Sequence, residues 1–153
     1  MIQAEQLTKS FGRVRVLDQL DLDVASGDRI ALVGANGAGK TTLIRCLLGE
    51  YTYAGRLSVS GREPRAARTD VLRRIGFVPQ LPPPLRMPVG RLLGFAATVC
   101  GGATQPMEAV SQRLGLDPHA VWKQPFAKLS GGQKQKLLIA IALGRACEVL
   151  VMD

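Results

Sequence analysis

The sequence has 153 residues, 46% hydrophobic and 21% charged, and its 20 Lys and Arg against 12 Asp and Glu give a net charge of +8. This composition excludes an intrinsically disordered chain, and the length is sufficient for one domain with its own core. The most apolar stretch, residues 137–152, is interrupted by Arg145 and Glu148 and falls short of the about 20 apolar residues of a membrane span. Any membrane role would therefore need a partner chain.

The positive charge is scattered along the chain rather than gathered in a stripe. Its densest part, residues 61–74 (GREPRAARTDVLRR), contains no aromatic residue on which a nucleobase could stack. This pattern favours a solvated helix face, and we expect no nucleic-acid partner. The three cysteines are widely spaced and lack a CxxC pair, which favours free thiols in a cytosolic protein.

Two segments near the N terminus alternate apolar and polar residues, as half-buried antiparallel strands do. They are residues 2–7 (IQAEQL) and 20–24 (LDLDV), and Asp21 and Asp23 are predicted to face water. The apolar run at residues 29–33 (RIALV) predicts a short buried strand in the middle of a sheet.

Helical spacing follows over residues 40–49, where Gly49 is predicted to end the helix. Residues 56–61 (RLSVSG) and 75–79 (IGFVP) predict two further strands, the second of them buried.

The remaining sequence is mainly helical. Residues 87–128 form a Gly-interrupted helical pattern that predicts an insertion standing off the sheet. Residues 130–146 predict a strong helix and residues 148–152 (EVLVM) a buried closing strand. Strand, loop, helix and strand in this order predict an α/β fold with a parallel core.

A glycine-rich loop precedes the first predicted helix. Residues 34–41 (GANGAGKT) fit G-x-x-x-x-G-K-[ST] at every fixed position, after a predicted strand and before a helix. The glycines let successive backbone N–H groups point at phosphate oxygens, and the helix N terminus adds its positive end. Lys40 would reach the β- and γ-phosphates, and the Thr41 hydroxyl would bind Mg2+. This context favours a nucleoside triphosphate site over an ordinary glycine-rich turn. The predicted nucleotide-binding residues of the loop are Gly34, Asn36, Gly37, Ala38, Gly39, Lys40, Thr41 and Thr42.

A second helix start, at residues 129–133 (LSGGQ), resembles the glycine loop in exposing backbone N–H groups at a helix N terminus. Ser130 is a natural N-cap, and Gly131 and Gly132 remove side chains where backbone N–H groups lack helical partners. A phosphate would bind well there, although the segment alone would be an ordinary capped helix.

Five motifs, in this order and spacing, resemble those of the ATP-binding-cassette (ABC) family. Phe11, in SFG, occupies the place of the aromatic residue that stacks on adenine, and residues 34–41 match the Walker A loop. Gln80, ending FVPQ, resembles the Q-loop glutamine that touches Mg2+ or the attacking water and contacts the membrane partner. Residues 129–133 are the signature motif as written, and Asp153 resembles the Walker B carboxylate that holds Mg2+ through water.

Taken singly, three of these residues have ordinary interpretations. Phe11 could be a core residue, Gln80 an exposed loop residue and Asp153 an isolated surface acid. Their place in the series favours the functional assignment. The resemblance implies catalytic roles for Lys40, Gln80 and Asp153, metal binding by Thr41, Gln80 and Asp153, and signature roles for Leu129, Ser130, Gly131, Gly132 and Gln133.

The resemblance implies a P-loop NTPase core with an N-terminal antiparallel β subdomain and a helical insertion. Its predicted parts are residues 1–86, residues 87–128 and residues 129–153. The catalytic glutamate after Walker B, the next parallel strand and the switch histidine have no counterpart here, since His119 falls in the insertion. In this class that strand lies between the Walker A and Walker B strands. We therefore expect the C-terminal part of the core to be missing, two strands to be left unpaired, and ATP to be bound without turnover by these residues alone.

The resemblance also implies how such a chain works. Two cassettes pair head to tail, as a homodimer or heterodimer, so that each signature motif acts on the partner's ATP. A separate ABC permease in the membrane is driven by this ATP-dependent closure. The expected location is cytoplasmic, at the inner face of the cell membrane.

The subtype and the rival functions are less specified. Residues 114–143 look most like cassettes of ABC-2-type exporters, including those of nitrous-oxide-reductase maturation and drug export. The prolines of residues 81–88 predict a stiff segment facing the permease, with a spacer loop or a PxxP ligand as alternatives. A soluble cassette acting on ribosomes or DNA and a non-hydrolysing nucleotide-binding module are the alternative functions.

Overall fold

A three-stranded antiparallel sheet and one helix form the first part of the chain. The computed structural model describes residues 1–153, which divide into two units, Met1–Leu72 and Arg73–Asp153. The predicted alternation is confirmed, because Ile2, Ala4 and Leu7 are buried on the first strand and Asp21 and Asp23 are exposed on the second. The strands of this sheet, in the order β2-β1-β3, are β1 (Ile2–Phe11), β2 (Val14–Val24) and β3 (Ala54–Val59).

Helix α1 (Lys40–Leu47) packs against β2 and β3. It has an apolar face because its buried residues follow helical spacing. The predicted helix end is confirmed, since Leu48 is the C-cap and Gly49 follows it with φ of 67°. A left-handed residue at this position ends a helix, and glycine adopts it without strain. The residues that α1 buries are Leu43, Ile44, Cys46 and Leu47.

The strand predicted at residues 29–33 is wrong. These residues form no strand, and their apolar side chains are exposed: Ile30 is 51% and Val33 92% accessible. The physical reason is pairing, because strand conformation requires a neighbouring strand to satisfy its N–H and C=O groups. No strand of the structure pairs with this segment.

The second unit contains a two-stranded parallel sheet. Strand β4 (Ile75–Val78) pairs with β5 (Val149–Met152), which confirms both predicted strands and their parallel direction. The prediction that β5 is a buried strand is wrong. Leu150 and Met152 are exposed, because the strand has a single neighbour. Helix α2 (Arg68–Arg74) leads into β4.

The predicted helical insertion is confirmed as helical. Its apolar residues form one core with the helix that follows, and Phe126, Leu93 and Leu137 are fully buried in it. The helical elements are α3 (Val89–Cys100), α4 (Gln105–Arg113), a 3-10 turn (Phe126–Lys128) and α5 (Gly131–Gly144). None of the helices has the length and apolar character needed to cross a bilayer. The subdivision at residues 86 and 128 stays a prediction.

The two ends of the insertion are joined by backbone hydrogen bonds. We call residues 85–90 together with residues 122–127 the stem. The amides of Ala127 and Phe126 donate to the carbonyls of Leu85 and Met87, at 2.8 and 2.9 Å. In the other direction, the amides of residues 89 and 90 donate to the carbonyls of residues 124 and 122, at 3.0 and 2.9 Å. The stem therefore fixes where the chain enters and leaves the insertion.

Candidate functional site

The glycine loop has the backbone conformation that its sequence predicts. Gly37 and Gly39 have φ of 85° and 92°, a region that favours glycine. A Cβ on Gly39 would also lie 2.9 Å from the carbonyl oxygen of Val16 on β2. Gly39 is the N-cap of α1, so the turn places the helix start directly after the loop. The loop thus depends on glycine for both conformation and close packing.

Lys40 lies over this loop. Its ammonium donates hydrogen bonds to the carbonyls of Gly34, at 2.7 Å, and Ala35, at 2.9 Å. The first turn of α1 contains no acidic residue, so no carboxylate of its own neutralises the positive helix end. A fixed ammonium and a helix N terminus at the same bend form a site that suits a phosphate group.

The hydroxyl residues that follow Lys40 are Thr41, which is exposed, and Thr42, which is partly buried. A threonine hydroxyl is an oxygen ligand of the kind that Mg2+ accepts, and Mg2+ usually takes its other ligands from water, phosphates and one or two carboxylates. No group of three His, Cys, Asp or Glu side chains in the structure could hold a metal ion by itself. The residues present therefore fit a metal held mainly by a nucleotide's phosphates.

Phe11 is the last residue of β1, opposite Val14 in the hairpin. Its side chain is 44% accessible, so the interpretation of Phe11 as a core residue is wrong. An exposed aromatic ring at a hairpin end can stack on a flat ligand. Sequence reasoning missed its neighbour Tyr51, whose ring centroid lies 5.3 Å from that of Phe11.

Gln80 and Asp153 lie at one edge of the parallel sheet. Each follows a strand, and β4 and β5 run side by side with Val78 opposite Met152. The amide of Asp153 donates to the carbonyl of Val78 at 3.1 Å, which extends the ladder to the end of the chain. Both residues are exposed. The carboxyl ends of parallel strands are where α/β proteins bind their ligands.

The second glycine helix start has a complete capping box. The Ser130 hydroxyl accepts from the amide of Gln133 at 3.2 Å, and the Gln133 side chain accepts from the amide of Ser130 at 3.0 Å. Ser130 is therefore the N-cap of α5, as predicted. A Cβ on Gly131 or Gly132 would meet nothing within 4 Å, while Leu129 is buried and anchors the segment. The helix end is thus open to solvent and rigidly capped.

The clear pKa shifts belong to residues outside the predicted site. Burial raises the pKa of Cys46. Burial and a hydrogen bond to the Glu63 carboxylate raise the pKa of Tyr53. Burial opposes ionisation of Glu63, but hydrogen bonds from Tyr53 and from two backbone amides outweigh it and lower the pKa of this carboxyl. The hydrogen bond between Tyr53 and Glu63 is thus a local contact of the first unit, outside the glycine loop.

Comparison with known proteins gives consistent results. Residues 17–153 match the ABC transporter family. The sulfate/thiosulfate import ATP-binding protein CysA of Yersinia pseudotuberculosis is 38% identical over 161 residues, covering 99% of this chain and 44% of that protein. The zinc import ATP-binding protein ZnuC of Marinobacter nauticus is 36% identical over 159 residues, covering 100% of this chain and 55% of that protein. The chain thus spans about half the length of these curated relatives.

Solved structures show the same fold. A structure of an ATP-binding subunit of an ABC transporter superposes with a TM-score of 0.89 at 24% identity, covering 99% of this chain and 65% of that one. A bacterial Atm1-family ABC exporter with ATP bound gives 0.87 at 25% identity, covering 99% of this chain and 28% of that one.

Proposed function

Because this chain belongs to the ABC transporter family, we propose that it binds ATP and serves in a subunit that hydrolyses ATP to power transport through a separate permease. The observation that carries this proposal is the bend at residues 34–40. There, two glycines with positive φ and the fixed ammonium of Lys40 form a cradle for phosphate. The nucleotide-binding residues are those predicted from the sequence, from Gly34 to Thr42, together with Phe11.

Removal of the Lys40 ammonium tests ATP binding. Lys40→Ala should weaken ATP affinity by about 10- to 100-fold, because a hydrogen bond to a charged group contributes about 1.5–3 kcal/mol. Lys123→Ala, which removes an exposed lysine of the second unit, is the matched control and should leave affinity unchanged. Titration calorimetry gives both dissociation constants. Equal affinity of the Lys40 variant and the unaltered chain would contradict the proposal.

Mg2+ would be held by the Thr41 hydroxyl, with Gln80 and Asp153 acting on it directly or through water. This part of the proposal rests on the order of the motifs and on the oxygen chemistry of the three groups. When bound, Mg2+ neutralises phosphate charge. Asp153→Asn should leave ATP affinity without metal unchanged and remove most of the gain in affinity that Mg2+ provides. A full gain in this variant would exclude Asp153 as a metal-binding residue.

The open end of α5 is proposed to bind the ATP of a second cassette. Supporting this, Ser130, Gly131 and Gly132 expose a capped helix end whose first turn holds no acidic residue. Gly132→Asp would place a carboxylate where a γ-phosphate is expected, in a position with space for a side chain. It should abolish ATP-dependent dimers in sedimentation experiments while each chain still binds ATP.

Gly102→Asp is the matched control for the dimer experiment. A Cβ on Gly102 also meets nothing within 4 Å, and the residue lies beyond the end of α3. This variant should form dimers normally. Dimers that persist in the Gly132 variant, or that are lost equally in the control, would contradict the signature role.

The permease partner is proposed to contact Gln80 and the proline-rich residues 81–88. The support is exposure, since Leu81 is 82% accessible directly after Gln80. A photo-crosslinker at residue 81 should label a membrane subunit in an assembled complex, whereas one at Lys123 should not.

A chain that contacts a permease in this way is expected to be cytoplasmic, at the inner face of the membrane. The ABC-2 exporter subtype stays a prediction, because CysA and ZnuC are named as import proteins.

A further inference from the structure

Aromatic and cationic side chains surround Phe11. Lys9, on the same strand, places its ammonium 4.8 Å from the Phe11 ring centroid and 5.3 Å from that of Tyr51. The two rings meet edge to face, with an interplanar angle of 80°. Arg45 lies 5.6 Å from the Tyr51 ring and donates to the Tyr51 hydroxyl at 3.1 Å. We call these four residues the Phe11 cluster.

The contacts with Tyr51 and Lys9 restrict the Phe11 ring. The edge-to-face contact with Tyr51 sets the plane of the ring, because aromatic pairs prefer this geometry. The ammonium of Lys9 is attracted to the faces of both rings, and its bond to the Thr52 hydroxyl at 3.2 Å restrains it. An exposed ring that would otherwise rotate is thereby held in one orientation.

The Phe11 cluster also connects the ring to the phosphate loop. Arg45 belongs to α1, the helix that begins at Lys40. Tyr51 follows the end of this helix, where Gly49 ends it and the amide of Glu50 donates to the carbonyl of Arg45 at 2.9 Å. One short helix therefore carries the lysine of the phosphate cradle at one end and supports the aromatic pair at the other.

We propose that Tyr51, assisted by Lys9, is a positioning residue that holds Phe11 as a platform for a purine base. Because Lys9 covers one face of the Phe11 ring, the base stacks on the opposite face. Tyr51 keeps the ring in the orientation in which the base and the phosphates of one nucleotide bind together. The inference rests on the proposed nucleotide site and deepens it. It predicts that Tyr51 affects ligands that have a base and leaves ligands without one unaffected.

The test compares ATP with inorganic tripolyphosphate, which has the phosphates without the base. Dissociation constants are measured by calorimetry for the chain with Tyr51→Leu and Tyr51→Phe. Tyr51→Leu should weaken ATP about threefold to tenfold, the range set by loss of an aromatic pair, and leave tripolyphosphate unchanged. Tyr51→Phe keeps the ring and loses only the bond to Arg45, so ATP affinity should return to within about twofold of the unaltered chain.

Two further variants provide a control and a test of Lys9. Phe95→Leu removes an exposed aromatic ring from the second unit and should change neither affinity. Lys9→Met keeps the apolar stem without the charge and should weaken ATP about twofold to fivefold with tripolyphosphate unchanged. An equal loss for both ligands in Tyr51→Leu would show a structural role and overturn the inference. So would unchanged ATP binding in that variant.

Failure of the wider proposal is separable from failure of this inference. If Lys40→Ala leaves both ligands unaffected, the phosphate site itself is wrong. If Lys40→Ala weakens both and Phe11→Leu weakens neither, Phe11 is no platform and the inference is overturned while phosphate binding stands. If Phe11→Leu weakens ATP alone and Tyr51→Leu does not, the platform is correct and positioning by Tyr51 is overturned.

Discussion

Replacement of Gly39 by alanine tests how the glycine loop is held against β2. At φ of 92° an alanine costs about 1–2 kcal/mol in backbone strain. The added Cβ would also lie 2.9 Å from the Val16 carbonyl oxygen and 3.0 Å from a Leu17 methyl, so backbone must move at a further cost of about 1–3 kcal/mol. Gly39→Ala should therefore lower the free energy of unfolding by about 2–5 kcal/mol, measured by urea titration followed by circular dichroism.

Gly37→Ala is the matched control within the same loop. Its φ of 85° imposes a similar backbone strain, but its Cβ would meet nothing within 4 Å, so only about 1–2 kcal/mol should be lost. ATP affinity should fall more in the Gly39 variant, because Lys40 is the next residue and moves with it. Equal destabilisation by the two substitutions would refute the close-packing argument, and no destabilisation by either would refute the positive φ values.

Three further outcomes follow from the structure. Ser130→Ala should reduce the free energy of unfolding by about 1 kcal/mol in urea titrations, because α5 loses its N-cap; a change below about 0.3 kcal/mol would contradict the capping box. Gly90→Ala should destabilise the chain in the same assay, since the new Cβ would overlap the Trp122 indole, whereas Gly94→Ala has open space and should be neutral or slightly stabilising. The lowered pKa of Glu63 means that the folded chain favours its carboxylate, so this contribution to stability is present above the ordinary pKa of 4.5 and is lost as pH falls through the lower folded pKa. Glu63→Gln should remove this loss at acid pH in a pH series of thermal unfolding. An unchanged dependence of the unfolding temperature on acid pH would contradict it.

Local sequence signals predicted most of the backbone geometry of the candidate site. Glycine and serine influence backbone conformation within a few residues of themselves. The loop from Gly34 to Thr41 and the cap at Ser130 could therefore be predicted from the local sequence alone. Gln80 and Asp153 could be placed at one sheet edge because each follows a strand and parallel strands end together.

The features that the sequence did not predict depend on contacts between distant parts of the chain. Residues 29–33 have the composition of a buried strand, but a strand forms only where another strand accepts its hydrogen bonds, and no strand of the structure pairs with them. Tyr51 was missed because it is separated from Phe11 by 40 positions, and no periodicity connects a hairpin end to the residues after a helix.

The stem fixes the two ends of the helical insertion and leaves its exposed residues free to change. Four backbone hydrogen bonds close its two ends on each other, and backbone bonds of this kind do not depend on the side chains between them. The exposed residues of 91–121 can thus be replaced, provided that the new segment keeps the stem pairing and the buried residues that pack against α5. Helix α5 keeps its Ser130 cap through such a change as long as the buried residues that it shares with the insertion, such as Leu93 and Leu137, are kept.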